Sequence, residues 1–83
     1  MVSLDEELAR LEQADRHIAD ATARIAAHEA LIGSGNLPDA EKRRAEELLA
    51  AMQATFAQFL LHRQAIVEVV EQLMKQSNAE KRE

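Results

Sequence analysis

The side chains able to do chemistry are few and scattered along this 83-residue chain. Three histidines, His17, His28 and His62, could hold a metal ion only if their imidazoles converged, which on a helix means a shared face one turn apart. They fall at different levels instead, and the pair His28-Glu29 is not followed by the histidine that a zinc-protease helix needs. Nucleophilic catalysis requires a hydroxyl or thiol beside a base that a third group orients. Ser3, Ser34, Ser77, Thr22 and Thr55 have no histidine and acid grouped around them, and cysteine is absent. No Gly-rich loop follows a strand, so nucleotide phosphates find no cradle.

Two cationic features remain. Arg63 interrupts an otherwise apolar stripe and reads as a paired or snorkelling arginine that fixes helix register, placed near Glu7 or Glu12. An anion or partner contact at the bundle end is the competing reading. Lys42-Arg43-Arg44, beside Glu41, Glu46 and Glu47, reads as a solvated face with local ion pairs. Cations this early in a helix oppose its dipole, which leaves a partner contact at the loop end open. The expectation is a protein that is not an enzyme and uses no cofactor or metal, although a dimer could bring symmetry-related histidines together.

The elements that position these residues follow from the chain's one break. Both glycines and the one proline lie in Gly33-Ser34-Gly35-Asn36-Leu37-Pro38, where glycine ends a helix and proline opens the next. Ser3 followed by Glu6 has capping-box spacing, and Asp5, Glu6 and Glu7 put negative charge at the positive end of the helix dipole. The spacing predicts one domain over 1–83: helix one at 4–32, loop at 33–37, helix two at 38–76 and a flexible tail at 77–83. Asn36 is the expected cap of helix two.

Leu4, Leu11, Ile18, Ile25 and Ile32 recur every seventh residue, with Glu7, Ala14, Ala21 and His28 at the companion position. That is a coiled-coil seam. The alanines would admit a bulky partner such as Phe56 or Phe59. Helix two carries its own seam of alternating four and three: Ala45, Leu49, Met52, Phe56, Phe59, Arg63, Ile66, Val70 and Leu73. Leu48 and Val69 widen it on one side; Leu60, Val67 and Met74 do so on the other. Folding about residue 35 sets Ile25 level with Leu49, Ile18 with Phe56, Leu11 with Arg63 and Leu4 with Val70. The fold class is therefore all-α, an antiparallel, coiled-coil-like two-helix hairpin.

Composition bounds the rest. A chain this short hides only about 60 to 65 per cent of its unfolded surface, so a monomer has a thin stability margin. The formal charge of −5 argues against general nucleic-acid binding and against an anionic membrane surface. No apolar run approaches a membrane span, and the N-terminal residues lack the pattern of a secretory signal. The expected location is cytoplasmic.

From Phe56 to Met74 helix two is apolar over more than one face, whereas a helix with a single partner needs only one stripe. Val70, Leu73 and Met74 should be left partly uncovered by the shorter helix one. The expectation is a homodimer, two hairpins forming a four-helix bundle. Its core and interface would use Phe56, Phe59, Leu60, Arg63, Ile66, Val67, Val70, Leu73 and Met74.

The strings Ala14-Asp15-Arg16-His17-Ile18 and Ala23-Arg24-Ile25-Ala26-Ala27-His28-Glu29-Ala30-Leu31-Ile32 resemble the first helix of short uncharacterised helical-hairpin proteins of alphaproteobacteria. The likeness spans mainly residues 11–32 and implies a bacterial, cytosolic two-helix protein, with no activity or site residues to carry over. The chain lacks the Trp-x-Gly turn of a secreted helical-hairpin family, and its turn differs from that of secretion-needle subunits. The function expected is that of a small interaction or regulatory protein. The alternative is a chaperone or inhibitor whose helix-two face covers a helix of another protein.

Overall fold

The structure is a computed structural model that describes residues 2–81, with side chains described over 2–79. It is an antiparallel hairpin of two α-helices, α1 (Leu4–Gly33) and α2 (Asp39–Lys81). The hairpin is a rod of 68 × 17 × 15 Å.

Helix α1 begins where the capping pattern placed it. Ser3 is extended (φ −102°, ψ 154°), and its hydroxyl accepts from the Glu6 amide at 3.1 Å. The Glu7 amide donates to the Ser3 carbonyl, also at 3.1 Å, so two first-turn donors are satisfied by one residue. At the other end the Ser34 hydroxyl donates to the Leu31 carbonyl at 2.7 Å. Gly35 then turns the chain with φ +74°, a left-handed conformation in which a Cβ would be strained.

The cap of α2 corrects the expectation that Asn36 supplies it. The Pro38 carbonyl takes the first helical bond, from the Lys42 amide at 2.8 Å, so Pro38 sits at the cap. Asn36 instead donates its backbone N–H to the Ser34 hydroxyl at 3.3 Å. The C-terminal end also differs from the expected tail. Residues 77 to 81 continue α2, because Ser77 and Asn78 alone are weak breakers and Ala79, Glu80 and Lys81 favour helix. Arg82 and Glu83, the remainder of that expected tail, lie outside the described residues.

Packing follows the two seams. Leu4, Leu11, Ile18, Ile25 and Ile32 are half-buried, while Ala14 and Ala45 are buried and let the helices approach closely. Ile66 and Val70, 5% and 7% exposed, form a cluster with Ala14 against which Leu4 and Leu11 pack. Val70 is thus covered by α1, contrary to the expectation that it would be left partly open; Met74, 51% exposed, is not covered. Ala14 accepts these aliphatic side chains, whereas Phe59 lies against His17 with ring centroids 6.0 Å apart. Among the described residues no side chain is fully buried, so the core is thin.

Candidate interaction surface

Each chemistry-bearing residue has a local explanation. The His28 Nε2 lies 2.8 Å from the Ala45 carbonyl, a bond in which the nitrogen donates and which ties α1 to the start of α2. His17 stacks at a tilt on Phe59, and His62 is exposed. Among the described residues no three His, Cys, Asp or Glu side chains are grouped to hold a metal ion.

Arg63 is paired, but with neither Glu7 nor Glu12. Its Nε donates to the Asp15 carboxylate across the hairpin at 2.5 Å. A side chain on a helix leans toward its own N-terminus, so Arg63 on α2 leans toward the loop and Asp15 on α1 leans away from it. The two meet between levels, which is why aligning Cα positions alone put Arg63 opposite the wrong carboxylates. Glu12 pairs instead with Arg16 at 3.6 Å, as its spacing predicts. Glu7 pairs with Arg10 of its own helix at 3.4 Å.

Glu7 itself is 4% exposed, less than Ile66, although it carries a carboxylate. It occupies a seam position and so faces α2. The Arg10 guanidinium and the nearby helix N-terminus supply the positive potential that makes this burial tolerable.

The expected interface residues divide by how α1 treats them. Ile66 and Val70 are consumed inside the hairpin; Phe56, Phe59, Arg63, Val67 and Leu73 are half-buried along the seam; Leu60 and Met74 are exposed. Three further large apolar side chains of α2 lie in water: Leu48, Val69 and Leu61, the last 64% exposed. Leu61 sits on the outer face, away from α1, within the segment from Phe56 to Met74 whose sequence is apolar over more than one face. It closes the run Leu48 to Leu61, which contains no charged residue on any side of the helix.

The surface area measures how much remains unburied. A compact 9.3 kDa protein exposes about 5,000 Å² by the 6.3 M^0.73 scaling, and this chain exposes 6562 Å². The excess is about 1,600 Å² over the whole chain, polar and apolar atoms together, as expected for a rod of 68 × 17 × 15 Å in place of a compact globule. An open groove of about 490 Å³ also lies between the helices, lined by His17 and Arg24 of α1 and by Leu48, Met52 and Phe59 of α2 among others. No helix among the described residues is long and apolar enough to cross a membrane.

Compared with protein-family models, with curated proteins and with solved structures, the chain matches none.

Proposed function

We propose that this chain works as a homodimer, two hairpins joined in a four-helix bundle, and serves as a small non-enzymatic interaction or regulatory protein. The observation that carries this reading is the uncovered apolar surface of α2, with Leu48, Leu60, Leu61, Val69 and Met74 exposed. The bacterial, cytosolic setting implied by the resemblance of residues 11–32 fits such a protein.

A second reading has one observation in its favour. The open groove beside Leu48, Met52 and Phe59 could receive the side chains of a helix from another protein, which would make the hairpin a chaperone or inhibitor.

Sedimentation equilibrium of the full chain at micromolar concentration separates the two. A dimer mass, twice 9.3 kDa, supports the bundle. A monomer that is poorly folded alone and gains stability only with a partner supports the groove reading and overturns the first.

A further inference from the structure

We propose that the outer face of α2 is a self-complementary interface on which a second copy of this chain docks antiparallel, Arg43 of each copy lying opposite Glu68 of the other. This rests on the dimer reading above for its homodimer, replaces the shared core of a bundle with a row in which the two α2 helices are innermost, and adds the face, the direction and the register.

The first support is the charge-free run. Leu48 to Leu61 covers fourteen residues, about 21 Å of helix. Helix α1 covers only the side that bears Leu49, Met52, Phe56 and Phe59, and the opposite side, with Ala50, Ala54, Ala57 and Leu61, is exposed. On α1 the outer face carries Glu12, Arg16 and Asp20 in its first half, and charged Arg24 and Glu29 flank the exposed alanines Ala23, Ala26 and Ala30 of its second, so only α2 is free of charge on every side over such a length. An outward face kept free of charge for four turns is what a helix with a second helical neighbour requires.

The second support is the spacing. Ala50, Ala54, Ala57 and Leu61 are separated by four, three and four residues, a pattern that reads the same in both directions. A second copy running the opposite way therefore meets an identical seam, with Ala50 opposite Leu61 and Ala54 opposite Ala57. The bulky side chain falls against a small one, which permits close approach. Extending the same register sets Glu47 opposite Gln64 and Arg43 opposite Glu68.

Charge supplies the direction. Neither Arg43 nor Glu68 has an ion-pair partner in its own chain among the described residues. The basic run Lys42-Arg43-Arg44, awkward for its helix dipole, comes to lie beside Glu68 and Glu71 of the second copy. A parallel pairing in register would instead stack Arg43 on Arg43 and Glu68 on Glu68. The face is long enough for such a pairing, its fourteen residues offering about 21 Å of helix to the second copy. The result is a four-helix arrangement with the two α2 helices innermost.

The test uses charge reversal and sedimentation equilibrium at low salt. R43E and E68R each turn two attractions into two repulsions per dimer, and each alone should raise the dimer dissociation constant about tenfold. An equimolar mixture of the two variants should recover wild-type association, since every cross-chain pair is then of opposite sign. Neither substitution touches the hairpin seam, so both variants should fold. Because the chain has no cysteine, A54C mixed with A57C gives a second readout. Mild oxidation should link these two chains, and A19C on the outer face of α1 should not link to either. A wild type that is monomeric overturns the dimer reading and this interface together. A dimeric wild type that both reversals and the mixture leave unchanged overturns this interface alone and leaves the dimer reading standing.

Discussion

Replacing Ile66 with alanine separates what α1 already covers from what it leaves bare. Ile66 is 5% exposed and belongs, with Ala14 and Val70, to the small cluster that holds the far half of the hairpin together. The substitution loses about 0.8 kcal/mol for each methylene-sized group removed and adds the cost of a cavity, which brings the expected destabilisation to about 2–4 kcal/mol. Alanine's better helix propensity returns only a few tenths of this. A chain of this length has in total about 4–12 kcal/mol of stability, so Ile66→Ala should lower the melting temperature by at least about 10 °C. Leu61→Ala is the paired measurement. Leu61 is largely exposed on a lone hairpin, where its loss should cost less than about 0.5 kcal/mol and the melt should not depend on concentration. Under a second copy the same change should cost about 1–3 kcal/mol, with a melting temperature that falls on dilution. Circular-dichroism melts over a hundredfold concentration range read both. An Ile66→Ala chain that melts within about 2 °C of wild type would refute the assignment of the core. A Leu61→Ala chain identical to wild type at every concentration, in a protein of dimer mass, would refute the outer-face interface.

The two glycines should respond in opposite directions. Gly33 is helical with open space around its Cα, so Gly33→Ala should stabilise by about 0.5–1 kcal/mol. Gly35 has φ +74°, so Gly35→Ala should destabilise by about 1 kcal/mol despite equally open space, with denaturant midpoints as the measure. The Arg63–Asp15 pair is partly solvated, the side chains being 39% and 51% exposed, and a double-mutant cycle with alanine should give a coupling below about 1 kcal/mol that shrinks in salt. A coupling of several kcal/mol would mean the pair is desolvated by something the lone hairpin does not contain.

The hairpin was legible because its signals are local and periodic. Ser3 and Glu6 marked the start of α1, the heptad of Leu4 through Ile32 marked its buried side, and Gly33 to Pro38 marked the turn. What escaped the reading depends on three-dimensional reach. Arg63 finds Asp15 because side chains lean along their helices, and sequence levels computed from Cα positions do not contain that lean. Glu7 is buried by its position in the repeat and not by its chemistry, so composition would have sent it to the surface. The candidate interface was placed on the richest apolar residues, among which Ile66 and Val70 turn out to be spent inside the chain. Hydrophobicity counts how much surface wants cover; it does not say which part an intrachain neighbour has already taken. The run from Leu48 to Leu61 is free of charge around the whole helical circumference, and only the contacts of α1 show which part of that circumference stays open.

The rod shape has a practical consequence for anyone who purifies this protein. Its radius of gyration is 19.0 Å, the value expected for a compact domain of about 290 residues. A single hairpin should therefore leave a gel-filtration column earlier than a round protein of its mass. Calibration against round standards would overstate that mass toward a dimer's, and light scattering or another shape-independent weighing is what counts the chains.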